Sequence, residues 1–204
     1  MKLRLLLPGC IFLLLPALAA QQKKQPAMVA EDGALQERGS ARVLYWDTAA
    51  DKAFGQFAID YGRPLWKPAY DDPQKFDAAT KGKVYRLGSN WWTSLDTHVP
   101  LKVGGTDVGV GNYFLGLERS ADGAAWSLVF IDPVKVREMR LDAFQIERAP
   151  ILFKVPMTTE EPATRNEKLL ITLTYAKEDP KNVKMTISWG KLQMSAPVAV
   201  TVGP

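Results

Sequence analysis

Gln56-Phe57-Ala58-Ile59-Asp60-Tyr61 alternates with a period of two, placing Phe57, Ile59 and Tyr61 on one face and Gln56, Ala58 and Asp60 on the other. Successive side chains of a strand point to opposite sides of a sheet, so this is the pattern of a strand with one face in a core. Similar short segments recur on both sides of it. Residues 43–46 read as a strand closed by the turn-forming run 47–51, and residues 84–87 and 90–95 as strands hinged at Gly88. Residues 101–103 and Val108 flank Gly104-Gly105, whose positive backbone angles suit a tight hairpin. Residues 113–117 and 126–131 flank a turn at 120–123, and the second is apolar on both faces, which predicts a central strand. Asp132-Pro133 is a helix-start pair, predicting one short helix near 134–143. Residues 151–155, 169–175, 183–189 and 193–202 complete the set. Pro64, Pro68 and Pro73 make residues 65–76 an irregular excursion, too long for an ordinary connection. About nine or ten strands with one short helix predict a mostly β fold, an antiparallel β-sandwich or jelly roll, with a barrel as the alternative.

The first residues carry an address. Lys2 and Arg4 precede an apolar run over 5–18, which ends in Ala17-Leu18-Ala19-Ala20. That order predicts a secretory signal peptide over residues 1–19, cut after Ala19 or Ala20. The run is too short to span a bilayer, and Gln21-Gln22-Lys23-Lys24 gives no stop-transfer pattern. Export across the inner membrane is therefore expected, to the periplasm or beyond, with no transmembrane segment once the signal leaves. Cys10 stands ahead of most of the apolar run, whereas a lipid-anchor cysteine closes such a run. Its loss with the signal leaves no cysteine, so the core must stabilise the fold without disulfides. Residues 20–41 are polar with few large apolar side chains and are expected to form a flexible tether, leaving 42–204 as one domain.

Composition narrows the chemistry. Twenty-six Lys and Arg against 22 Asp and Glu give a net charge of +4, which falls to +2 when Lys2 and Arg4 are removed. The two signs are interspersed, which speaks against a nucleic-acid surface. A zinc site needs several converging Cys, His or carboxylate ligands, and the chain without its signal offers one histidine, His98. Ser89 follows Gly88 but continues into Asn90-Trp91, so no nucleophile elbow is present. Asp71-Asp72 and Glu160-Glu161 are the available carboxylate pairs for hydrolysis, and Asp47, Asp51, Asp71 or Asp72 for calcium, but adjacent acids in loops more often face solvent. Gly104, Gly105, Gly109 and Gly111 precede a strand and not a helix, so they do not make a dinucleotide site, and no cofactor is expected.

Three ordered blocks carry a family likeness. They are Tyr61-Gly62-Arg63-Pro64; Tyr85-Arg86-Leu87-Gly88-Ser89-Asn90 with Thr93; and Leu101-Lys102-Val103-Gly104-Gly105 followed by Gly111-Asn112-Tyr113-Phe114-Leu115. Together they resemble the bacterial family DUF2911, whose pattern is Tyr-Gly-Arg-Pro, then Trp-Arg-Thr-Gly-Ala-Asn-Glu-Ala-Thr, then an Ile-Gly-Gly hairpin ending in Ala-Gly-x-Tyr-x-Leu. The likeness spans about residues 56–197 and implies a secreted, mostly β domain without assigned catalytic residues. The family's tryptophan falls at Tyr85 here and its glutamate at Trp91, which removes a carboxylate from the second block.

Arginines and aromatics concentrate in these blocks, so Tyr61, Arg63, Arg86, Asn90, Trp91 and Trp92 are the candidate ligand-binding residues. An exposed tryptophan near arginine suits stacking on a sugar or holding an anion. The competing structural reading has Arg63 and Arg86 paired with Asp60 or carbonyls and the tryptophans in the core. The expected function is a non-catalytic extracytoplasmic domain binding a small molecule, glycan or envelope protein. A metal-assisted hydrolase using loop carboxylates and a purely structural envelope protein are the alternatives.

Overall fold

The alternation beginning at Gln56 belongs to an eleven-residue strand, and eleven further strands build one antiparallel sheet around it. The computed structural model describes residues 37–202; the predicted signal peptide and residues 20–36 of the predicted tether lie outside them. The strands are β1 (Arg38–Asp47), β2 (Lys52–Gly62), β3 (Lys83–Arg86), β4 (Thr93–Thr97), β5 (Leu101–Val103), β6 (Thr106–Val108), β7 (Gly111–Arg119), β8 (Trp126–Ile131), β9 (Ile151–Glu160), β10 (Asn166–Ala176), β11 (Asp179–Gly190) and β12 (Leu192–Val200). Two helices, α1 (Pro73–Thr80) and α2 (Pro133–Glu138), and two 3-10 turns, Pro68–Asp71 and Ala143–Arg148, complete the described residues. None of these helices is long and apolar enough to cross a membrane.

Four expectations need correction. The described strands number twelve and not about nine or ten, three of them, β3, β5 and β6, being only three or four residues long. A second helix, α1, occupies part of the segment read as irregular: the Asp72 carboxylate accepts the backbone N–H groups of Gln74 and Lys75, and Pro73 opens the first turn. The tether does not reach residue 41, because β1 begins at Arg38, opposite Gly62, with the Arg38 guanidinium bonded to Asp60. The strand expected from residue 90 begins at Thr93; Asn90 and Trp91 sit at φ of 54° and 83°, outside the extended region.

The ladders run β1-β2-β4-β7-β8-β9-β12-β11-β10, with β3 also on β7 and the β5–β6 hairpin on β12. One hydrophobic cluster takes residues from both ends and the middle of this path, including Val43, Phe57, Leu115, Leu128, Val155, Ile171, Ile187 and Met194. The opposite face of β7 and β8 is covered by a second cluster, in which Val136 of α2 and Leu141, Ala143 and Ile146 pack on Phe114, Val129 and Ile131. That cover explains why 126–131 is apolar on both faces: Leu128 and Phe130 face one layer, Val129 and Ile131 the other.

Candidate functional site

The Tyr-Gly-Arg-Pro block is a clasp that joins the two ends of the sheet path, β1 and β10. Tyr61 lies opposite Gly39 on β1, and its hydroxyl accepts the Ile171 N–H at 2.9 Å while donating to the Ile171 carbonyl at 3.3 Å. The ring passes over β1 only because residue 39 lacks a side chain; a Cβ there would come within 2.6 Å of Tyr61 Cζ. Arg63 Nε donates to the Leu169 carbonyl at 3.1 Å, and the Pro64 carbonyl accepts from Leu169 N at 3.1 Å and Trp189 Nε1 at 3.0 Å. The Glu37 carboxylate adds ion pairs to Lys168 at 2.7 Å and Arg63 at 3.6 Å, and the Lys168 hydrogen bond holds its carboxyl below the ordinary range.

The second block meets the first through backbone. A Cβ on Gly62 would strike the Ser89 carbonyl, and one on Gly88, at φ of 98°, would lie 2.8 Å from the Gly62 carbonyl oxygen. Both positions therefore demand glycine, and the Thr93 hydroxyl, bonded to the Leu87 carbonyl, fixes the turn between them. The two blocks are thus neighbours because two glycines allow their chains to touch.

Beyond the clasp lies a cavity of about 240 Å³. Its apolar lining includes Phe76 and Ala79 of α1, Leu87, Leu169, Ile187 and Met194, together with Tyr70, Tyr85 and Trp189. Two cations, Lys67 and Arg86, also line it, and none of the described carboxylates does. Arg86 holds no ion pair among the described residues; its guanidinium carbon sits 3.9 Å from the ring centre of Phe144, and burial lowers its pKa against a weaker opposing pull from Asp142. Burial raises the pKa of the Tyr85 hydroxyl, which keeps it a protonated donor. Trp66, outside the lining itself, packs on three aromatic residues that belong to it: it meets Trp189, Tyr70 and Phe76 at ring separations of 5.1, 5.5 and 5.8 Å. Arg119 ties α1 to the sheet, donating to Asp77 at 2.7 Å, the Thr80 hydroxyl at 2.9 Å and the Gly123 carbonyl at 2.9 Å.

The adjacent tryptophans do separate, although not as strand neighbours. Trp92 is 3% exposed and stacks on Phe114 at 5.0 Å, while Trp91 is 61% exposed because the left-handed turn at 90–91 throws it outward. Both line an open cleft with Arg38, Arg137 and Arg140, apart from the cavity that Arg86 lines. The six candidate residues therefore do not converge on one place. Tyr61 and Arg63 form the clasp, Arg86 belongs to the cavity, and Trp91 and Trp92 line the cleft with Asn90 at its edge. Sequence reasoning missed Arg38, because it lies in a polar stretch, and the cavity's long-range residues Leu169, Ile187 and Met194, which carry no local signal.

Loop carboxylates are engaged elsewhere. Asp71 accepts from Arg165 at 2.9 Å, with Lys191 at 3.3 Å and Trp66 Nε1 at 3.2 Å nearby, and Asp72 caps α1. Among the described residues no three His, Cys, Asp or Glu side chains group as metal ligands, and exposed His98 lies 3.5 Å from Asp96.

In comparisons with known proteins, one family model, "Protein of unknown function (DUF2911)", matches residues 47–198. No curated protein and no solved structure matches the chain. The matched span holds the Tyr61–Pro64 clasp, the glycine crossing at Gly88 and the Gly104-Gly105 hairpin, which are the blocks the likeness rested on. The chain belongs to the DUF2911 family.

Proposed function

We propose that this is a non-catalytic, extracytoplasmic binding domain whose sheet folds over one core as an antiparallel sandwich, and that it holds a small apolar molecule with an acidic headgroup in the cavity beside α1. The observation that carries the reading is the cavity itself: about 240 Å³, walled by apolar side chains, with two cations and none of the described carboxylates in its lining. Ligand sites are typically concave and mostly apolar with a few placed polar groups, and a smaller engineered cavity of about 150 Å³ already admits benzene. The sandwich reading is supported by the Tyr61 clasp, which brings the first and last strands of the path together. Export is supported by residues 1–20, and the engagement of Asp71, Asp72 and Glu160 by neighbouring cations and N–H groups argues against their serving as a catalytic pair.

Straight-chain alkanoic acids displacing the fluorescent probe N-phenylnaphthylamine provide the test. Each CH2 buried contributes about 0.8 kcal/mol, so Kd tightens about fourfold per added carbon until the cavity is full, then levels off. Ala79→Trp, which fills the space, abolishes binding without unfolding the domain. Affinity independent of chain length and unchanged in Ala79→Trp would remove the reading. Turnover of chromogenic esters or phosphates would favour a hydrolase, and a co-purifying envelope protein without a small ligand would favour a structural role.

A further inference from the structure

We propose that the cleft beside Trp91 is a separate binding site for an acidic saccharide, a sugar unit bearing a carboxylate. The cleft measures about 590 Å³ and shares no lining residue with the apolar cavity, so the proposal stands apart from the one above. Trp91 presents an indole that is 61% exposed, a large flat surface of the kind that stacks on the C–H face of a pyranose. It is held out at a backbone cost. Asn90, Trp91 and Arg140, three of the four described non-glycine residues at positive φ, border this cleft; for a bulky residue such as Trp91 that region is a marked outlier, and such strain collects at ligand clamps.

The charges are sorted for an anion. Asp60 is taken by the Arg38 guanidinium, which also donates to the Asn90 and Trp92 carbonyls at 3.4 Å each and so stiffens the turn carrying Trp91. Asp142 accepts the Phe144 N–H at 2.7 Å. That leaves without an ion pair among the described residues Arg137, whose Nη1 donates to the Pro133 carbonyl at 3.3 Å and whose guanidinium lies 5.3 Å from the Phe114 ring centre, and Arg140, which is exposed. A guanidinium meets a carboxylate through two parallel N–H bonds, which fixes direction as well as charge. Asp60 and Asp142 keep acceptor oxygens for sugar hydroxyls. Trp92 Nε1, on the same cleft, is buried without a hydrogen-bond partner among the described residues, a cost that an oxygen reaching in from the cleft would relieve.

Calorimetric titration of the whole exported chain with trigalacturonic acid, beside its carboxyl-reduced counterpart, tests this. The acidic trisaccharide binds at one site per chain, more weakly as salt rises, and the reduced one binds about tenfold less well. Trp91→Ala and Arg140→Gln each weaken the acidic ligand by about tenfold, and Arg140→Gln brings the two ligands level. Both residues are exposed, so circular dichroism and urea midpoints should match the parent, and Ala79→Trp leaves this binding intact. Absence of binding by the parent chain, or binding indifferent to Trp91→Ala and Arg140→Gln, overturns the proposal.

Discussion

Removing one oxygen, Tyr61→Phe, should open the seam between the ends of the sheet. The hydroxyl stands where a neighbouring strand would otherwise pair with Ile171, meeting both its N–H and its carbonyl, and both residues are at most 3% exposed. Phenylalanine keeps the ring and its apolar burial but leaves two buried backbone groups unpaired. Each orphaned group costs about 1–3 kcal/mol, and since the bond to the carbonyl is the longer one the total should be about 2–4 kcal/mol. For a domain of this size that lowers Tm by roughly 5–15 °C. Urea unfolding followed by tryptophan fluorescence should show the midpoint falling with an unchanged slope, and hydrogen exchange should show the Ile171 amide losing protection. Gly39→Ala should be destabilising for the same reason, and less so in a Tyr61→Ala background, where the ring that its methyl strikes is gone. A Tyr61→Phe protein within about 0.5 kcal/mol of the parent would refute the clasp, since that is the range of an ordinary surface change.

Two further outcomes follow from the same geometry. Lys184, Ser195 and Gln193 hydrogen-bond the Glu160 carboxylate and hold its pKa at about 2, below the ordinary 4.5. The native state then binds fewer protons than the unfolded chain between those values, so this contribution is complete above the ordinary value and is lost as pH falls toward 2; acid titration of Glu160→Gln should show a flatter stability profile there. Arg119→Lys cannot reach Asp77, Thr80 and Gly123 together, so it should cost about 1–2 kcal/mol and speed hydrogen exchange across α1, read by mass spectrometry.

Much of the sheet was legible because its signals are local. Alternation marked β2, paired glycines marked the β5–β6 hairpin, and Asp132-Pro133 marked α2 through its cap. The same Asp-Pro pair at Asp72-Pro73 starts α1, but three nearby prolines and weak apolar periodicity masked an eight-residue helix. Asn90-Trp91 read as strand because aromatic content favours one, whereas Gly88 packed on Gly62 and Thr93 bonded to Leu87 bend the chain there.

The candidate site was legible in part, for a related reason. Residue types that suit binding were found, but their grouping depends on contacts between positions more than a hundred residues apart, such as Tyr61 with Ile171 and Arg63 with Leu169. The Tyr-Gly-Arg-Pro block looked functional because it is unusual, and it is unusual because each residue meets a separate closure demand. The cavity's deep walls include Ile187 and Met194, which the sequence places only within the strand segments 183–189 and 193–202.

The binding reading is tested most directly by methyl NMR of the purified chain during titration with octanoate. Saturable shifts should appear at Leu87, Leu169 and Ile187, which line the cavity, and not at Val103 or Val198, which lie elsewhere in the core, and Ala79→Trp should erase them. Shifts spread evenly over the core, or none at millimolar octanoate, would contradict it.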